Sequence, residues 1–252
     1  MPPNNPIDAD PCLQEAASPR RQWSGHLYVR LDRMKAPITL AIDELVAKHL
    51  APFLKEHGFR RKGQRFYRRA GSSIQLIELD RWKYNEGSSG KLGIWAGVFF
   101  PSIWKAVNVA RPGWSDAGFD DDWPPIQNCL VDFNITPPQN DRAIDNLWSI
   151  DATLPIVETA EQIKQSINGT VLEWLEANSE LKQTLPRLQE LSKKGVWLAS
   201  VYLLCAAVEL HDQQVAEAAL KAVLAAEPSQ FFPESERTAF KQLAETVGAF
   251  GT

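Results

Sequence analysis

Apolar residues first fall into a helical period at Ile38, Ile42, Leu45, Val46, Leu50, Phe53 and Leu54, which predicts an amphipathic helix. Thr39 is placed to cap it, with Asp43 and Glu44 near the end that favours anions. Pro52 has no amide hydrogen and should kink or restart the rod. Gly58, which follows Lys55-Glu56-His57, reads as a left-handed stop, with Phe59 folding back onto the last turn.

Past that stop the period changes from helical to alternating. "QRFYRRA" and "SSIQLIELD" predict two short strands divided by a turn at Ala70-Gly71. The loop "KYNEGSSG" leads into "KLGIWAGVFF", which completes an antiparallel meander. There Leu92, Ile94, Ala96 and Val98 face one way, and Trp95 and Phe99 the other. Gly93 and Gly97 lie on the Trp95 face, where a missing side chain leaves room for that ring or for an approaching helix. "CLVDFNIT" predicts a fourth strand with Val131, Phe133 and Ile135 inward and Asp132, Asn134 and Thr136 outward; "NLWSID" is a candidate fifth. Between the third and fourth strands, Trp104 to Gln127 reads as a long loop, a length that marks binding elements or disorder.

From Glu158 on, the pattern is helical throughout. Ile163, Ile167, Val171, Trp174 and Leu175 share a face, "LPRLQELSKKG" ends a second helix, and three more follow from Val196, Asp212 and Ser235. The fold class is therefore α+β: an N-terminal helix packed on a small antiparallel sheet of four or five strands, then a C-terminal bundle of four or five helices. Residues 1–36 are rich in Pro, Asn and Asp without a period and read as a mobile arm. Residues 37–152 read as the α+β domain and 153–252 as a helical region docked on the sheet.

Composition narrows the chemistry. The net charge of -4 over 252 residues disfavours a nucleic-acid binder, which usually carries a basic field. Cys12, Cys129 and Cys205 form neither a CxxC pair nor a disulfide framework, so reduced thiols in the cytoplasm are expected. The apolar run Gly195 to Leu210 contains Glu209 and falls short of the roughly 20 residues a bilayer crossing needs, so no membrane association is expected. "EGSSGKL" is too short for a phosphate loop and is followed by a strand rather than a helix. The four histidines lack HxH or HExxH spacing, and no GxSxG elbow is present. No catalytic residue, metal or cofactor is assigned.

A family resemblance rests on "FLKEHGFRRKGQRFYRR", then "IQLIELDRW", then "GIWAGVFFP". These stretches resemble the bacterial domain-of-unknown-function family 4304, over Leu40 to Pro101 and on toward Trp148. The resemblance implies a fold and no settled activity. The chain departs from the family pattern at Leu79 and Asp80, where relatives tend to carry Gln, and at Ala96, where they tend to carry Asn. The resemblance also implies that Arg60 to Gly63 connects into a strand over Arg65 to Arg69. Alternation then puts Arg65, Tyr67 and Arg69 on one face, and Phe66 and Arg68 on the other. Arg65 and Arg69 either form cross-strand ion pairs with Glu78 and Asp80, contact an anion, or meet a protein partner.

The remaining feature is acidic. Asp116, Asp120, Asp121 and Asp122 lie between Trp114 and Trp123, with Phe119 among them. Indoles beside carboxylates suit a surface that plugs a basic cleft; the alternative is a loop whose tryptophans tuck into its own core. The expected function is a non-enzymatic protein-binding module, most concretely an immunity protein that occludes the basic active-site cleft of a cognate bacterial toxin. The alternative is an enzyme that holds an anionic substrate with Arg65 or Arg69 and uses Glu78 or Asp80 as base.

Overall fold

The computed structural model describes residues 35–111, 123–137, 146–225 and 232–246. The arm expected over 1–36 lies outside them, apart from its last two residues. The first helical rod consists of α1 (Pro37–Glu44), a wide turn over Leu45–Leu50, and α2 (Ala51–Glu56). Pro37 starts it, with Ala36 as N-cap and no side-chain cap. Thr39 therefore sits inside the first turn and is not the cap the sequence suggested; the preset φ of proline begins the helix earlier. Pro52 does not break the rod. The turn ahead of it widens, and the Ala51 amide donates to the Val46 carbonyl, five residues back. The rod ends as expected at Gly58, with φ of 82°, where Phe59 N–H donates to Leu54 O at 3.0 Å and the Phe59 ring is buried.

Among the described residues the sheet has six antiparallel strands: β1 (Arg60–Lys62), β2 (Arg65–Ala70), β3 (Ser73–Arg81), β4 (Ser89–Phe99), β5 (Val131–Asn134) and β6 (Trp148–Asp151). The order is β1-β2-β3-β4-β5, and β6 pairs with the first part of β4 while β5 pairs with its second part. This is one strand more than expected. Arg60–Lys62 is not a connection: Lys62 pairs with Arg65 across Gly63-Gln64, and Gly63 takes a φ of 63° in that tight turn. The segment expected as loop from Trp104 is also shorter. Pro101 opens α3 (Pro101–Ala110), which buries Ile103, Trp104, Val107 and Ala110 at helical spacing.

The helix-facing side of the sheet carries Phe66, Ile77, Leu79, Leu92, Ile94, Ala96, Val98, Val131, Trp148 and Ile150 in one apolar core. That core continues into a second rod, α4 (Ile156–Ser166), a wide turn over Ile167–Val171, and α5 (Leu172–Ala177). It continues again into α6 (Leu181–Lys193), α7 (Trp197–Glu209), α8 (Gln213–Ala225) and α9 (Glu234–Glu245). Every residue from Ala199 to Ala207 is buried, because α7 is packed by α3, α6, α8 and α9. This explains why its sequence has no polar stripe. Arg111, just past α3, joins Glu236 of α9 at 2.7 Å. Among the described residues, no helix is long and apolar enough to cross a membrane.

One polar junction crosses this core. Gln75 of β3 is wholly buried, and its amide donates to Leu175 O near the end of α5 at 2.8 Å. Its carbonyl accepts from Arg68 Nε of β2 at 2.9 Å. Arg68 also donates to His57 O at the end of α2 at 3.1 Å, pairs with Glu176, and lies 4.8 Å from the centre of the Phe59 ring. A guanidinium among helix C-terminal carbonyls meets their partial negative charge. Arg68→Met removes four of these contacts and strands the Gln75 carbonyl. We expect a loss of about 2–4 kcal/mol in urea unfolding, against about 0.5 kcal/mol or less for Arg60→Met on the exposed edge.

Candidate functional site

Strand alternation sends the other half of the side chains to the far face of the sheet. The register places Arg60 against Tyr67, Arg65 against Glu78, Glu78 against Trp95, Asp80 against Gly93, Trp95 against Asn134 and Gly97 against Asp132. Tyr67, Ile74, Leu76, Phe99, Trp104, Ile126 and Cys129 form a second, smaller apolar cluster there, with Trp95 and Trp123 half-buried against it. The cover is the chain from Trp123 to Leu130, with a single 3-10 turn at Ile126–Asn128.

Three contacts fix that cover. Tyr67 Oη donates to Pro124 O at 3.0 Å. Ile126 N–H donates to Glu78 Oε2 at 3.0 Å, and the same oxygen lies 3.1 Å from Arg65 Nε. Gly97 supplies the third by having no side chain: a Cβ there would stand 2.6 Å from both Cys129 Sγ and Ile126 Cδ1. Of the room foreseen on this face, that at Gly93 is taken by the Trp95 ring itself, whose Nε1 would lie 3.3 Å from a Cβ there, and that at Gly97 by a tight turn and not by an α-helix. Burial pushes the Tyr67 phenol up to about 12 and raises the Cys129 thiol well above its ordinary value, so both groups stay neutral.

The cover divides the far face into two clefts, each of about 300 Å³. One is acidic, with Glu78, Asp80 and Asp132 beside Trp95, Ile126 and Gln127. Desolvation by its neighbours raises the Asp132 carboxyl above the usual range, although the residue is exposed. The other is cationic, with Arg60, Arg68 and Arg69 beside Tyr67, Ile74 and Trp123. The Trp123 ring meets Tyr67 edge to face at 4.5 Å between centres, and Lys62 Nζ lies 5.3 Å from its centre. Among the described residues, no group of three His, Cys, Asp or Glu side chains could hold a metal ion.

Of the residues expected at a partner surface, Trp123 is placed at this boundary, while Trp114, Asp116, Phe119, Asp120, Asp121 and Asp122 lie outside the described residues. Arg65 and Arg69 do share the Tyr67 face, but Arg65 is joined to Glu78, the cross-strand pair the sequence allowed. The sequence did not single out Arg60, Trp95, Gln127 or Asp132 for the site. Alternation gave the facing of Trp95 and Asp132, yet only the inter-strand register brings them together.

The family model of a domain of unknown function, DUF4304, matches residues 50–177. No curated protein and no solved structure matches the chain. The match starts at the C-terminal turns of the first rod, runs through all six strands and stops with α5, farther along than the motifs alone indicated.

Two outcomes follow from the packing of this face. Gly97→Ala should cost about 1–3 kcal/mol, because the turn at Ile126–Cys129 must lift to admit a methyl group; urea unfolding measures it. A carboxyl whose folded pKa is raised contributes its stability below the unfolded pKa, and loses it as pH rises through the folded one. Asp132→Asn should therefore raise Tm at pH 7, and the gain should vanish in acid, where wild type is protonated as well.

Proposed function

The chain belongs to the family of the domain of unknown function DUF4304, and from that premise we propose that it is a non-enzymatic protein-binding module. Its most concrete form is a cytoplasmic immunity protein that neutralises a cognate bacterial toxin by covering a basic active-site cleft. The supporting observation is the acidic cleft of Glu78, Asp80 and Asp132 walled by Trp95, next to Trp123, which follows directly in sequence on Asp120, Asp121 and Asp122. Carboxylates held beside half-buried indoles suit lysine and arginine side chains, since charge steers the encounter and the rings supply contact area.

The enzymatic alternative needs Arg65 or Arg69 to hold an anion and Glu78 or Asp80 to act as base. Of these, Arg65 and Glu78 are joined to each other, and Glu78 also accepts the Ile126 amide.

The test is binding to the product of the neighbouring reading frame, followed by surface-immobilised kinetics. Asp80→Asn combined with Asp132→Asn should raise the dissociation rate about 10–100-fold, and so should the triple change Asp120→Asn, Asp121→Asn and Asp122→Asn. Excess chain should also suppress the toxin's activity. Unchanged rates in both variants, or turnover of a small compound by the purified chain, would remove the reading.

A further inference from the structure

Resting on the protein-binding reading, we propose that the acidic cleft is one half of a docking surface whose other half is an aromatic ledge of Trp82 and Tyr84. Its occupant is a segment of the protein partner that carries a basic residue beside an apolar one.

Alternation carries the far face beyond the cleft. Glu78, Asp80 and Trp82 follow one another at every second residue along β3 and just past it, as do Trp95, Gly93 and Lys91 in reverse along β4. Asp80 stands opposite Gly93, and the pairing continues one step further, with Trp82 N–H donating to Lys91 O at 3.2 Å. Lys91 Nζ lies 5.1 Å from the centre of the Trp82 ring, so that ring is on the same side of the sheet as Lys91. Gly93 keeps the ground between them low: a Cβ there would stand 3.3 Å from Trp95 Nε1 and 3.6 Å from Asp80 Cβ. Trp95, Asp80 and Trp82 therefore border one continuous strip.

The ledge is exposed and preset. Trp82 is 41% exposed and Tyr84 60%, and their rings meet edge to face at 5.2 Å between centres. Asn85 closes the hairpin that carries them: its side chain exchanges hydrogen bonds with the Lys91 main chain at 2.7 and 2.9 Å. Large rings already held in place lose little freedom when covered, which is the character of an interface anchor. Charge then sorts what each half accepts. Lys83 Nζ lies 4.8 Å from the centre of the Tyr84 ring, and Lys91 Nζ attends Trp82, so the chain's own ammonium groups hold the cation positions over both rings. The ledge is left to take an apolar side chain. The partner's cation goes instead to Asp80 and Asp132, both exposed, because Glu78 is held by Arg65 and the Ile126 amide. The spacing of Asp80 and Trp82 along the strand sets the two partner residues about 7 Å apart.

The experiment uses the full chain and the product of the neighbouring reading frame. Hydroxyl-radical footprinting should oxidise Trp82 and Tyr84 in the free chain, and the complex should protect both. In surface-immobilised kinetics, Trp82→Ala and Tyr84→Ala should each raise the dissociation rate about tenfold or more at any salt concentration. Loss of the carboxylates in Asp80→Asn with Asp132→Asn should also flatten the salt dependence of association. Trp82→Phe should recover much of what Trp82→Ala loses. Tyr84→Ala, at the more exposed position, reads the ledge even where Trp82→Ala disturbs the hairpin. Weakened binding in the carboxylate variant with unchanged rates in Tyr84→Ala and Trp82→Ala would overturn the ledge and leave the protein-binding reading standing. Failure of the two proteins to associate would remove both. Rings protected in the free chain would overturn the ledge as well, since it would then be covered before any partner arrives.

Discussion

The rest of the fold depends on how a buried amide is satisfied. Gln75 has no contact with water, so its donor and acceptor must both find partners inside the protein. It bonds Leu175 O on one side and Arg68 on the other, and Arg68 carries the connection to His57 O and Glu176. Two helix ends from distant parts of the chain are thereby keyed to one register of β2 against β3. A slip of one residue would move Gln75 to the far face, leaving Leu175 O without its donor and Arg68 without its Gln75 acceptor. Apolar packing alone would tolerate several placements of α5 on the sheet; this junction is compatible with one.

With its helix side fixed in this way, the sheet is asymmetric in what it can offer. The helices bury one face, while among the described residues the Trp123–Leu130 segment and Trp104 of α3 cover part of the other. Charges on the far face are sorted by strand, with cations on β1 and β2 and anions on β3 and β5. Arg65 and Glu78 stand where the two halves meet and neutralise each other. Their pairing keeps the clefts electrically distinct, because it ends the cationic row and supplies the acceptor that holds the cover down at Ile126.

Much of this was legible in residue order, for physical reasons that can be named. The β4 alternation was readable because Leu92, Ile94, Ala96 and Val98 serve one dry face and nothing interrupts the period. The α4–α5 rod was readable because its apolar positions fall on one helical stripe, which packs on the first rod and on the sheet. β1 was not readable: Arg60-Arg61-Lys62 has no apolar member, and its pairing comes from the Gly63 turn and from β2 rather than from burial. α3 was missed because its apolar positions run into the Pro-Gly-rich stretch that follows, which made the whole segment read as loop. The clefts were beyond reach for a further reason. Glu78 and Ile126 are 48 residues apart, and their contact depends on a register no single strand encodes.

The signature shared with the family can now be divided by face. Gly58, Phe59, Arg68 and Gln75 belong to the helix-side junction: a Cβ on Gly58 would lie 3.4 Å from Arg68 Cδ, and Phe59 receives the same guanidinium. Two of the positions where this chain departs from the family pattern, Leu79 and Ala96, are fully buried on that side. A glutamine or asparagine there would need buried partners, as Gln75 does, and would extend the polar junction between sheet and helices. Such a change alters how the layers are keyed and leaves the far face as it is. Asp80 is the departure that reaches the acidic cleft. The motifs that carry the resemblance therefore bear on the fold through Gly58, Phe59, Arg68 and Gln75 at the helix-side junction, whereas Asp80 lies on the far face.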